Sequence, residues 1–71
     1  MSESEKIELL EEIMDVEESL ELDMVLEDIE EWDSLSTLAL AAKVRELYGE
    51  NLTAEKIKSF VTVKDICDYL K

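Results

Sequence analysis

The sequence predicts an all-α fold. The chain of 71 residues has no Pro and a single Gly, Gly49, so it lacks the punctuation of a strand-rich protein. Leu, Ile, Glu, Lys and Ala dominate, and these side chains lose little rotamer freedom in a helix. The apolar residues recur at three- and four-residue steps, the period of a helix with one buried face. A chain this short buries only about 60% of the surface its unfolded form exposes, enough for one modest core. Residues 1–71 are therefore expected to form one domain, a four-helix bundle with a long first loop and a short third helix.

The first helix is predicted over about residues 4 to 17, where Ile7, Leu9, Leu10, Ile13, Met14, Val16 and Leu20 recur at helical steps. Ser2 with Glu5, or Ser4 alone, can cap its start, and the early glutamates suit the positive end of the helix dipole. Residues 18 to 33 carry Leu20, Leu22, Met24, Val25, Leu26, Ile29 and Trp32 without a sustained period. They read as a long connection pinned onto the core, with a short helical turn near Leu26 to Ile29. From Ser34 the period returns: Leu40, Val44, Leu47 and Tyr48 step along one side, while Leu35, Ser36, Ala39, Ala42, Lys43 and Glu46 fall on others. Gly49 supplies the left-handed residue that ends this helix of about fifteen residues, roughly 22 Å long. Thr53 caps a short helix that offers Ile57 and Phe60 inward. Thr62 and Asp65 form a capping-box-like pair before Val63, Ile66, Cys67 and Leu70, which occupy i, i+3, i+4 and i+7 of a buried stripe.

The net charge is −13, and it is unevenly spread. Residues 1–33 hold fifteen Asp or Glu against one Lys, whereas residues 34–71 hold five against six basic residues. Such a surface repels nucleic-acid phosphate and anionic membrane and draws in basic protein surfaces over a Debye length of about 8 Å. For any single glutamate, the plainer role is a solvated face. The longest apolar run, Leu38 to Ala42, falls far short of the roughly 20 residues of a membrane span, and the start of the chain has no signal-peptide pattern, so a cytoplasmic monomer is expected. A lone Cys67 and the absence of His leave no internal disulfide and no Cys/His zinc site; Cys67 is expected to be a small buried apolar side chain. The acidic half has no Gly, so the calcium-loop pattern is missing too.

One serine stands on the charge boundary, in the stretch EEWDSLSTLAL at residues 30–40. Asp33 and Ser34 are both good N-caps, so the plain reading of Ser34 is that it starts a helix. It is poorly placed as a nucleophile: no His can activate it, and no Gly-rich phosphate loop or nucleophile elbow exists. Yet the first turn of a helix points unpaired N–H groups and the positive dipole end outward, which suits a phosphate ester on that oxygen. A serine without its own activator can be the substrate of another enzyme.

Trp32-Asp33-Ser34-Leu35, after a long acidic loop and at the head of the second of four helices, resembles the acyl carrier proteins of the phosphopantetheine-attachment family. The likeness covers essentially the whole chain, including LEDIEEWDSL, Tyr48-Gly49 and the closing TVKDICDYL. It implies an acyl-carrier-like bundle and a carrier in place of an enzyme. Ser34 would receive 4′-phosphopantetheine from coenzyme A through a phosphopantetheinyl transferase with magnesium, and the terminal thiol would hold an acyl or aminoacyl group as a thioester. The resemblance also implies an acyl- or aminoacyl-activating ligase and a synthase or acyltransferase as partners. Asp33 would orient the serine, and Leu35, Ala39, Ala42, Glu30 and Glu31 would meet partner enzymes. Relatives commonly carry acids along the exposed face of this helix. Here that face offers Ser36, Ala39, Ala42, Lys43 and Arg45, with Glu46 alone acidic, so steering is expected to pass to Glu27, Asp28, Glu30, Glu31 and Asp33 and to serve a dedicated pathway. Trp32 fits a loop anchor at the core edge or a part of the recognition surface. The rival reading from another class is a small acidic adaptor or nucleic-acid mimic that needs no modification.

Overall fold

Four helices occur in the expected order: α1 (Glu3–Met14), α2 (Ser34–Tyr48), α3 (Ala54–Ser59) and α4 (Val63–Tyr69). They are seen in a computed structural model that describes residues 1–70. No strand occurs among the described residues; Val25 and Thr62 form an isolated antiparallel bridge.

α1 starts with a full capping box, the Ser2 side chain accepting from the Glu5 N–H while the Glu5 carboxylate accepts from the Ser2 N–H. These bonds hold the Glu5 carboxyl below its ordinary value. The helix ends three residues before the expected boundary. Asp15 adopts the left-handed conformation (φ 54°), its N–H bonds back to the Glu12 carbonyl, and the Val16 N–H bonds to the Glu11 carbonyl. That pair of bonds closes the last carbonyls, and Asp is among the few residues besides Gly that take this conformation without great strain. Val16 is thereby turned onto the core in place of continuing the helix.

The long connection walls the core, as expected. Leu20 and Leu26 are buried in it, and Leu22, Met24, Ile29 and Trp32 pack against it, so Trp32 serves as a loop anchor. Backbone bonds tie this wall to the start of α4: Leu26 N–H to Val61 O (2.8 Å), Val63 N–H to Met24 O (3.0 Å) and Lys64 N–H to Leu22 O (3.0 Å). The Glu11 carboxylate accepts the Leu20 N–H at 2.8 Å, fastening the same wall to α1. The expected helical turn is a single 3-10 turn, Leu26–Asp28.

At the opposite end the Lys6 ammonium donates to the Cys67 carbonyl (3.0 Å), and the Tyr69 hydroxyl meets the Glu50 carboxylate (3.4 Å). The first of α1 thus lies beside the last of α4, which makes the two antiparallel. The last of α4 also lies just past the end of α2. Leu10, Met14, Leu40, Val44, Val63, Ile66 and Cys67 supply the helical core, closed below by Leu52, Phe60 and Leu70. The short α3 has no buried residue of its own. It is held where Lys56 stands over the rings of Phe60 and Tyr69, 5.7 and 5.6 Å from their centroids. Cys67 is buried as expected, and burial is the chief cause pushing its thiol above the ordinary value.

Candidate functional site around the head of α2

Asp33 and Ser34 compete on paper for one task, and the structure gives it to Asp33. The Asp33 residue has extended backbone, its carboxylate accepts the Ser36 N–H at 3.0 Å, and its carbonyl accepts the Thr37 N–H at 3.0 Å. It is the N-cap, and Ser34 is the first helical residue. Ser34 is exposed, and among the described residues no hydrogen bond engages its hydroxyl. Only its carbonyl is used, accepting from the Thr37 hydroxyl at 2.9 Å. The side-chain oxygen therefore sits at the positive end of a fifteen-residue helix with nothing to hold it back.

Ser36, two residues on, has the opposite environment. Expected on the exposed face, it is instead 5% exposed, and its hydroxyl donates to the Glu31 carbonyl. Ser36, Leu40 and Val44 are spaced i, i+4 and i+8, so Ser36 heads the buried stripe and the loop before α2 closes over it. A hydroxyl there is tolerable because it finds an acceptor in the dry interior. Through this bond and the Asp33 cap, the segment from Glu31 to Asp33 is fixed to the first turn of α2.

The rest of the predicted site falls into two groups. Glu30, Glu31 and Asp33 are exposed and lie directly before Ser34. Leu35, Ala39 and Ala42 are exposed along the outer face of α2, with Leu35 at 76%. Sequence reasoning left Leu38 without a role and placed Leu47 inward. Leu38 is in fact 66% exposed, and Leu47, though it lies in line with Leu40 in the last turn of α2, is 47% exposed. The signal for Leu38 was present in the spacing: residues 35, 38, 39 and 42 stand at i, i+3, i+4 and i+7, the same stripe as in α4. Lys43 is partly buried and 3.8 Å from Glu46, and Arg45 donates to the Asn51 side chain at 3.3 Å, so the far end of α2 carries the positive charges. Among the described residues no group of three or more Asp, Glu or Cys side chains gathers to hold a metal ion, and no helix is long and apolar enough to cross a membrane.

The site can offer an exposed alcohol for modification, and among the described residues no hydrogen bond joins that alcohol to a base. It also presents an apolar ridge next to an acidic segment. A family model described as "phosphopantetheine attachment site" matches residues 7–70. No curated protein and no solved structure matches the chain.

Proposed function

The chain belongs to the phosphopantetheine-attachment family, and from that premise we propose that Ser34 is the residue that carries the arm and that the protein shuttles acyl or aminoacyl cargo between partner enzymes. Carrier domains of this family are not catalysts, and they bear a covalently attached 4′-phosphopantetheine. When attached, that group supplies a thiol on a flexible arm, on which cargo rides as a thioester.

One observation carries the assignment to Ser34: Asp33 performs the capping, so the neighbouring hydroxyl is exposed and unbonded at the head of α2. A serine kept only to start the helix would spend its oxygen on a backbone N–H. The residues present fit a phosphodiester at that oxygen. The N–H groups of Ser34 and Leu35 belong to the helix start, where no preceding carbonyl is in register to accept them. Glu30, Glu31 and Asp33 surround the position with negative charge, which disfavours folding an anionic ester back onto the loop and so directs the arm outward. The Ser36–Glu31 bond keeps that acidic segment in place while the arm swings.

Family members interact with modifying and synthase enzymes. In this chain Leu35, Ala39 and Ala42 provide the apolar contact for them, and Glu30 and Glu31 attract their basic residues. The partners that fit are a phosphopantetheinyl transferase, an acyl- or aminoacyl-activating ligase and a synthase or acyltransferase. Burying such contacts in a self-association would cover Ser34, so a monomer is the working form.

Incubation with coenzyme A, magnesium and a broad-specificity phosphopantetheinyl transferase tests the assignment by intact mass. The wild type should gain one phosphopantetheinyl group and Ser34→Ala none. Modification of the variant would place the arm elsewhere, and an unmodified wild type would leave the acidic-adaptor reading standing.

A further inference from the structure

A cleft of about 810 Å³ opens between the end of α1 and the long connection. Its volume lies within the roughly 300–1,000 Å³ of small-ligand pockets. Buried Leu20 and half-buried Val16, Met24 and Ile29 give it an apolar floor. The rest of its lining is acidic: seven of the thirteen lining residues are Asp or Glu, and none is Lys or Arg. The nearest basic residues along the chain are Lys6 and Lys43, and the Lys43–Glu46 and Lys64–Asp68 ion pairs lie elsewhere. No lysine or arginine of the lining therefore neutralises the cleft. Among the described residues no three acids gather to hold a metal ion, so the negative field is spread over a broad mouth. Apolar walls lined by one sign of charge focus such a field. A cleft of this kind suits an organic cation on a hydrocarbon body in place of a chelated ion.

We propose that this cleft receives the far end of the arm when its cargo is a protonated aminoacyl group, the hydrocarbon resting on the apolar floor and the ammonium lying in the field of the rim. This rests on the carrier reading above and narrows the cargo from acyl or aminoacyl to the cationic class. The cleft is joined to the attachment point. Glu30 and Glu31 form its near lip, the Glu31 carbonyl accepts from the Ser36 hydroxyl, and the Asp33 carboxylate caps the same turn, so that lip is fastened to the helix that carries the arm. Glu31 stands three residues before Ser34, which puts it within about 11 Å of the arm's root. The arm's own backbone contains more bonds than three residues of peptide, so it spans that distance. Its phosphodiester stands clear of the acids while its uncharged amides cross the lip. Tethering raises the cargo's effective concentration to the millimolar range, so a site of only about millimolar intrinsic affinity is half filled. A cargo ending in a second carboxylate is repelled, and a plain fatty acyl chain finds the floor without the charge. A second copy fits less well, since each chain carries −13.

The test varies the charge of the cargo at constant length. A broad-specificity transferase loads the isotope-labelled chain from coenzyme A analogues bearing amide-linked ε-aminohexanoyl, heptanoyl or adipoyl groups, which do not hydrolyse, and the backbone amides are followed by NMR. Shifts at Val16, Leu20, Met24 and Ile29 should be at least about threefold larger with the amine than with heptanoyl, and absent with adipoyl. They should fall by about half or more in high salt and in the triple variant Glu17→Gln, Glu18→Gln, Asp23→Asn. Those three side chains are exposed and lie outside the Ser34 site, so the variant should melt like wild type. Equal shifts for the amine and heptanoyl forms would overturn the cationic assignment, and a fully loaded wild type whose cleft responds to none of the three would overturn the site, both leaving Ser34 assigned. Cleft shifts that grow with protein concentration would overturn it in favour of a second copy, and shifts produced by a lysine-rich peptide but by no cargo would overturn it in favour of a basic partner segment. A wild type that never gains the arm removes the carrier reading and this proposal with it.

Discussion

Two helices bear the same apolar spacing with opposite outcomes. Val63, Ile66, Cys67 and Leu70 of the α4 segment lie at i, i+3, i+4 and i+7 and are all buried; Leu35, Leu38, Ala39 and Ala42 of α2 lie at the same offsets and are all exposed. α4 is short and has one apolar side, with Lys64 and Asp68 paired on the other at 2.8 Å, so the core has no choice of face. α2 is apolar on two sides, and the core takes Leu40 and Val44 together with a serine. The comparison teaches that a stripe announces a contact but not whether that contact is made within the chain or with another protein.

Substitutions should separate the two stripes by stability first. Ile66→Ala, fully buried in wild type, should cost about 3 kcal/mol in urea unfolding through lost burial and the cavity left behind. Because a domain of this size has only about 4–11 kcal/mol in hand, much of its stability would go. A loss below about 1 kcal/mol would mean that the α4 stripe is not the core it is described as.

Ser36→Ala sharpens the contrast at the inner face of α2. It removes the donor to the Glu31 carbonyl, and the expected cost is about 1 kcal/mol in the same assay, with the acidic segment loosened at Glu30–Trp32 in hydrogen exchange. Ser34→Ala should be neutral by comparison, since its hydroxyl makes no bond. Equal losses for the two serines would break the distinction between them.

The start of α4 should weaken in acid. At α4 the Asp65 carboxylate accepts the N–H groups of Val61 (2.8 Å) and Thr62 (3.1 Å), and these bonds hold its carboxyl below the ordinary 3.8. A depressed folded value means that the unfolded chain takes up the proton first. The contribution is therefore complete above 3.8 and is lost as pH falls through 3.8 toward the depressed value. Asp65→Asn should accordingly be less stable than wild type at pH 7, and the gap should close below the ordinary carboxylate range. A gap independent of pH would show that the ionised carboxylate is not what holds the start of α4.

Leu38→Ala is the smallest expected effect. Its stability should stay within about 0.5 kcal/mol of wild type, because the side chain is already in water. A loss near that of Ile66→Ala would mean that the outer stripe is covered in solution and that α2 and α4 are alike after all.

Much of this arrangement was legible in the sequence. The capping boxes at Ser2–Glu5 and Thr62–Asp65, the Thr53 cap and Gly49 are local devices, in which a side chain or a backbone conformation acts within three or four residues of itself. The end of α1 was missed because its stop signal is Asp15 in a conformation that usually advertises itself as glycine. Of the site, Glu30, Glu31, Asp33, Ser34 and Leu35 stand exposed at the head of α2, and Ala39 and Ala42 stand exposed farther along its outer face. Ser36 and Leu38 were misjudged or passed over because polarity and spacing alone favour a serine outside and a leucine inside.

Sequence alone determined the helices, their order, the acidic first half and the presence of two good caps side by side before α2, since each depends on neighbours along the chain. Only the tertiary structure decided which cap is used, which apolar face of α2 is buried, and that Ser36 turns inward while Ser34 is left free. Those outcomes depend on where the loop from Leu20 to Trp32 lies across the bundle, and burial is a competition among distant surfaces that no local pattern can settle.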